Sequence, residues 1–214
     1  MMKHHNLFKF KLITMKPKNI PGVPQHYKGS FHDTESSKEI TNNEDVDIKF
    51  DRLKQRFLSI NNWRKYCPES TTEFKLCDSS GEIVDRLPQI SDYIRIDIPG
   101  PGGSEGRSYD WVQIIMIDMD VNDRIMIQCR PSKDPIKKNS RKIAHFYSNA
   151  ATSTFVISKE KNSVKAGIYG RNEYPNLKSG FFNCIRNLMI AIGGMLGFSK
   201  IQWKCLTEGL TNFE

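Results

Sequence analysis

His145 is the only histidine outside the N-terminal 44 residues, and it sits in Ala144-His-Phe-Tyr147 beside an apolar segment. An imidazole so placed can act as a general acid or base when a substrate proton lies within hydrogen-bond reach and a carboxylate orients the ring. The plainer role is a histidine hydrogen-bonded in place. Arg130, Tyr169, Arg171 and Glu173 fall at the ends of predicted strands. A guanidinium there can grip the carboxylate or phosphate of an otherwise apolar ligand through its bidentate fork, while an Arg171–Glu173 pair is the simpler outcome. Asp110 precedes Trp111 and can orient His145 or Arg130, or cap a loop. Trp111, Met116, Met119, Met126, Met189 and Met195 supply adaptable apolar surface, which serves a core or a cavity equally well. Pro99 to Gly106 is glycine-rich, but Arg107-Ser-Tyr-Asp-Trp111 leads from it into a strand. A phosphate loop needs a helix there, so the stretch reads as a long hairpin loop. Paired catalytic carboxylates, a serine elbow and a Cys–His couple with a local signature are all missing.

Composition narrows the setting. Net charge is +8, of which the first 44 residues supply +3 through seven lysines and four acidic residues. The rest interleaves both signs, which favours solubility over a nucleic-acid patch, so no nucleic acid is expected as partner. Cys67, Cys77, Cys129, Cys184 and Cys205 contain no Cys-x-x-Cys pair and are odd in number. They read as buried reduced thiols of a cytoplasmic protein. Four of the five histidines (His4, His5, His26, His32) lie before residue 45, so neither a metal nor another cofactor is expected. No window of eighteen uncharged apolar residues exists, and none is expected to span a membrane. The N-terminus lacks the apolar run of a leader, and Met15 is an alternative start to Met1.

These residues need elements to hold them. Residues 1 to 44 have no sustained period and several prolines, and are expected to form a mobile basic tail before a single domain over 45–214. Val46 to Phe50 alternates like a strand and Leu53, Phe57 and Ile60 follow helical spacing. A strand passing into a short helix is preferred, with one helix over the whole span as the competing reading. Asn61 to Tyr66 makes a further turn of helix that Pro68 stops. Strands are expected near 72–76, 94–98, 111–119 and 125–129, with a hairpin of 152–158 and 163–170 across Lys159-Glu-Lys-Asn162. Leu177, Phe181, Ile185, Leu188, Ile192 and Met195 then repeat at helical spacing over 177–198. Ser199-Lys-Ile-Gln202 has the form of a capping box and opens a second helix to about Gly209. The sum is an α+β fold, a curved, mostly antiparallel sheet packed around a long C-terminal helix.

That element order, together with the Asn61-Asn-Trp-Arg-Lys-Tyr66 turn after the first helix, resembles the helix-grip fold of the START-like (SRPBCC) superfamily, which includes polyketide cyclases and ligand carriers. The match covers about Asp45 to Leu210. The strings Ile96 to Gly102, Tyr109 to Val112 and Arg171 to Asn176 are similar to those of uncharacterised Bacteroidetes proteins. The resemblance implies a cavity between sheet and helix, and stops short of a reaction. On it, a hydrophobic small molecule is the expected partner, with Trp111, Arg130, His145, Tyr169 and Arg171 as candidate ligand-binding residues. Two other readings stay open: a cyclase- or dehydratase-type enzyme using His145 with Asp110, Tyr169 or Arg130 in support, and a solid-cored interaction protein that can form oligomers.

Overall fold

The computed structural model describes residues 16–41, 43–68, 72–97, 109–120, 123–137, 139–177 and 198–213. The glycine-rich loop and the helix expected over 177–198 lie outside these residues, apart from their ends. The described elements are β1 (Ser30–Glu39), α1 (Asn43–Leu58), a 3-10 helix (Ile60–Tyr66), β2 (Glu73–Cys77), β3 (Tyr93–Asp97), β4 (Asp110–Asp120), β5 (Arg124–Pro131), β6 (Thr152–Glu160), β7 (Ser163–Glu173) and α2 (Phe198–Thr211).

The seven strands form one antiparallel sheet in the order β1-β7-β6-β5-β4-β3-β2. It is open, since β1 and β2 are edges that do not pair with each other. A flat sheet would hold those edges about 29 Å apart at the usual strand spacing. Yet the Trp203 ring on α2 lies 6.3 Å from the His32 ring on β1 and 5.9 Å from the Phe74 ring on β2, centroid to centroid. The two edges of this open sheet therefore both reach α2, while the helix that the sequence reading places inside the sheet, over 177–198, lies outside the described residues.

The inner face carries the main core. Alternate residues Phe74 and Leu76, Ile94 and Ile96, Val112 and Ile114, Ile125 and Ile127, Phe155 and Ile157, and Ala166 and Ile168 point into it. α1 covers one part with Val46, Phe50, Leu53 and Phe57, and α2 another with Leu206 and Leu210. Trp63 of the 3-10 helix is fully buried and donates its indole N–H to the Phe57 carbonyl at 2.9 Å. Asn61 fixes that helix to the sheet edge. Its amide donates to the Val84 carbonyl and its oxygen accepts from the Leu76 N–H, both at 2.8 Å.

Three sequence expectations are corrected. Residues 46–50 are helix rather than strand. In a strand Ile48 would share a face with Val46 and Phe50, but it is 66% exposed while they are buried. The mobile tail does not extend to residue 44, because Ser30–Glu39 forms β1. Its inward residues are His32, Thr34 and Ser36. With polar residues on both faces, no hydropathy alternation marks it as a strand. Residues 16–29 run over the outer face, where Ile20 and Val23 pack with Met116, Met126, Val156 and Tyr169. Finally, Cys67 and Cys205 form a disulfide, so they are not reduced thiols; Cys77 and Cys129 are free and buried. The compartment argument built on reduced thiols lapses with them. No described helix is long and apolar enough to cross a membrane.

α2 is held from several sides. The Ser36 and Thr207 hydroxyls share a hydrogen bond of 2.8 Å. Arg56 of α1 donates to the Gly209, Leu210 and Asn212 carbonyls, where a helix C-terminus exposes unpaired acceptors and favours a cation. A Cβ at Gly209 would lie 1.5 Å from the Tyr66 carbonyl oxygen, so only glycine lets α2 sit this close to the 3-10 helix.

Candidate functional site

Strand alternation decides where the sequence candidates point. Trp111 faces outward, buried with Cys77 and Ala144 under the loop that follows β5. Arg130 is exposed on the same outer side, in the row of Met126 and Gln128. Tyr169 also faces outward and donates its hydroxyl to Glu35 Oε1 at 2.7 Å. Burial first, and then the Glu35 carboxylate, push its phenol pKa well up. Arg171 is 1% exposed; it pairs with Asp33 Oδ1 at 2.7 Å and donates to the carbonyls of His32, Gly170 and Lys18. Its fork thus ties β1 and the 16–29 segment to β7 instead of facing a ligand. Trp111, Arg130, Tyr169 and Arg171 are therefore not on the face that α2 covers. Trp111 packs against Ala144, the neighbour of His145, and donates its N–H to the Ala144 carbonyl at 2.8 Å, while Arg171 lies over the Tyr169 ring at 5.9 Å. His145 is buried, accepts the Tyr147 N–H at its Nδ1 at 2.9 Å and stacks on Phe146 at 4.3 Å.

A different group assembles on the inner face, and it includes a histidine that sequence reasoning left in the tail. In β1 and β7, His32 stands opposite Gly170, but Ser30 stands opposite Glu173. Three steps along β7 match two along β1, so β7 carries a bulge. Asn172, at φ 55°, is the residue that makes it. Its side chain secures the bend, accepting from the Tyr27 N–H at 3.0 Å and donating to the Gln25 carbonyl at 3.1 Å. A one-residue bulge reverses the alternation beyond it. Glu173 thereby leaves the face of Arg171 and joins that of His32. This is why Arg171 and Glu173 do not pair.

His32 Nδ1 lies 2.9 Å from Glu173 Oε1, with the two residues 5% and 6% exposed. The contact has ion-pair distance without the alignment of a hydrogen bond, and His32 Nε2 has no hydrogen-bond partner. Leaving such an atom buried and unpaired costs about 1–3 kcal/mol. Tyr147 completes the group. Its phenol is engaged with Glu173 and Ser30, and burial, then the Glu173 charge, push its pKa up, so it stays protonated and able to donate. Trp203 lies beside the imidazole with an interplanar angle of 11°. Gly170 makes the room: a Cβ there would fall 2.2 Å from both Glu173 Oε1 and His32 Nδ1. The signals legible in sequence were Gly170 within a strand and Glu173 near its end. Their partner on β1 was hidden by that strand's polar pattern.

The space under α2 near β2 is filled. Trp63 lies against Phe74 at 5.5 Å and Phe155 at 5.0 Å, and Trp203 lies 5.7 Å from Phe155. The gap left there is only about 10 Å³. The cavity that the resemblance implies between sheet and helix is therefore not at this end. No cluster of His, Cys, Asp and Glu among the described residues could hold a metal ion.

One seven-stranded antiparallel sheet, with β1 beside β7 and the C-terminal helix α2 across its inner face, has the α+β architecture of the helix-grip fold. No protein-family model matches the chain, and no curated protein matches it. Among solved structures it is similar to a hypothetical protein from Helicobacter pylori, with 9% identity over 92% of this chain and 97% of that one, at a TM-score of 0.52. It is also similar to truncated norcoclaurine synthase from Thalictrum flavum (8% identity, 88% and 96% covered, TM-score 0.40). Ginseng major latex-like protein 151 from Panax ginseng gives 13% identity, 78% and 96% covered, and a TM-score of 0.35. Likeness at these identities concerns the fold alone.

Proposed function

We propose that this protein binds a hydrophobic small molecule against the inner face of the sheet, at the β1–β7 end where His32, Glu173 and Tyr147 lie. The observation that carries the reading is the buried His32 Nε2 without a partner, on the face that α2 covers. Apolar burial at about 25 cal/mol per Å² would drive the association, and one or two polar atoms would fix orientation. The helix-grip fold suits this role because its concave face is walled by helix on one side and sheet on the other. Native mass spectrometry of protein purified from its own cells tests the reading. A retained small molecule shows as added mass that disappears on denaturation. Protein of bare chain mass that also takes up no apolar probe refutes it.

The filled space around Trp63, Phe74, Phe155 and Trp203 favours a second reading, a solid-cored interaction protein. Light scattering separates the two when the bare protein self-associates and binds no probe. The enzyme reading through His145 draws no support from Tyr169 and Arg130, which occupy other parts of the outer face.

A further inference from the structure

We propose that the outer face of the β2–β5 half of the sheet, with the loop that follows β5, is a docking surface for single-stranded nucleic acid, held through its phosphates. Over the whole chain the two signs of charge interleave, but residues 130–142 are an exception. They hold Arg130, Lys133, Lys137, Lys138, Arg141 and Lys142 against one acidic residue, so thirteen residues carry +5 of the net +8. That acidic residue, Asp134, is buried, and its Oδ1 accepts the Ile136 N–H at 2.9 Å. The loop is fastened over the sheet. Ser132 donates its N–H to the Trp111 carbonyl at 2.9 Å, Ala144 donates to the Ser132 carbonyl at 2.8 Å, and Ile136 packs with Cys77 and Trp111.

Strand register extends the patch. Lys75 stands directly opposite Arg95 on this face, Arg95 stands opposite Trp111, and Arg130 stands opposite Gln113. Like charges face to face across a ladder are destabilising, a cost that an anion set between them removes. Glu73 and Asp97, opposite each other at the next position on that face, bound the patch, and Arg64 holds Glu73 at 2.9 Å. Elsewhere cations meet carboxylates, as Lys18, Arg86, Lys159 and Arg171 do. Among the described residues Lys75, Arg95, Arg130, Lys133 and Arg141 have no ion-pair partner. A gathered patch of this kind suits a polyphosphate, because each phosphate neutralised releases a condensed counterion. The Arg95 guanidinium lies over the Tyr109 ring at 4.3 Å, and the half-buried Tyr93 meets Trp111 edge-on at 6.4 Å. Aromatic rings and guanidinium planes are surfaces on which unpaired bases stack, which favours a single strand over a duplex. A lipid surface fits less well, since the exposed apolar residues beside the β2 edge, Ile83 and Leu87, alternate with exposed Glu82 and Asp85. The patch lies on the opposite side of the sheet from the proposed small-molecule site, so neither reading depends on the other.

The test is fluorescence anisotropy of a labelled twenty-nucleotide oligothymidylate titrated with the full chain. Binding is expected at about 50 mM salt and should weaken about a hundredfold by about 200 mM, the slope of five phosphate contacts on a single strand. Lys133→Gln/Arg141→Gln removes two exposed cations, so the strand should bind more weakly and the salt-driven loss should shrink to about twentyfold. Arg52→Gln/Lys161→Gln removes the same charge from α1 and the β6–β7 turn, and should leave affinity and salt slope as in the wild type. Both variants change exposed side chains, and matching thermal midpoints confirm that they fold. Equal weakening by the two double variants assigns the effect to net charge and overturns the patch. Absence of binding at low salt with high-micromolar protein overturns the proposal outright. Tighter binding of the corresponding duplex overturns the single-strand assignment. Capture by phosphatidylserine vesicles of a protein that ignores the oligonucleotide makes the partner a lipid surface and overturns the nucleic-acid assignment.

Discussion

Reduction of the Cys67–Cys205 disulfide should remove a large share of the protein's stability. The bond joins the residue after the 3-10 helix to α2 across a sequence separation of 138. In the chain-entropy account, a cross-link closing a loop of that length lowers the entropy of the unfolded chain by about 17 cal/mol/K, or about 5 kcal/mol at 25 °C. The folded side loses little, because Arg56, the Ser36–Thr207 hydrogen bond and the Leu206 and Leu210 contacts hold α2 without it. The Cys67→Ser/Cys205→Ser double variant should therefore still fold, with stability lower by about 3–5 kcal/mol and a melting midpoint lower by about 10–15 °C. Urea unfolding with and without reductant measures the difference, and wild type in reductant should match the double variant. A thiol count on unfolded protein should give two fewer titratable thiols without reductant than with it. Coincident unfolding curves, or an unchanged thiol count, would refute the reasoning.

Three further perturbations probe other links. Asp33→Ala leaves the buried Arg171 guanidinium without its carboxylate, and should cost about 3–5 kcal/mol in urea unfolding and loosen the 16–29 segment to proteolysis. Gly209→Ala forces α2 from the Tyr66 carbonyl, and should cost at least about 1–3 kcal/mol, visible as a lower thermal midpoint. Glu35 is raised by its partial burial but lowered more by hydrogen bonds from Lys18, Tyr169 and Lys165, leaving its pKa at about 2 against an ordinary 4.5. A depressed carboxylate stabilises fully above its unfolded pKa and loses that stabilisation as pH falls through the folded one. Glu35→Gln should thus be less stable than wild type at pH 6, with the gap closing between pH 4.5 and 2 in acid-unfolding curves.

Much of the sheet was legible because its inward residues are apolar and alternate. Phe74 and Leu76, Ile94 and Ile96, and Ile125 and Ile127 announce β2, β3 and β5, and Lys159-Glu-Lys-Asn162 announces the β6–β7 turn. The second helix expected to about Gly209 is present as α2, Phe198–Thr211, with Ser199 inside it. Residues 46–50 satisfied two periods at once, and only the outward position of Ile48 separated them.

The chain's own text determined the α+β class, the order of most elements and the need for a helix across a concave sheet, since local periodicity encodes which side of each element must be covered. Tertiary structure decided the site. The bulge at Asn172 changes the face of Glu173, pairing with β1 brings His32 to it, and the path of α2 brings Cys205 to Cys67. The last two join residues more than a hundred positions apart, and no local pattern in a single segment carries a partner's address.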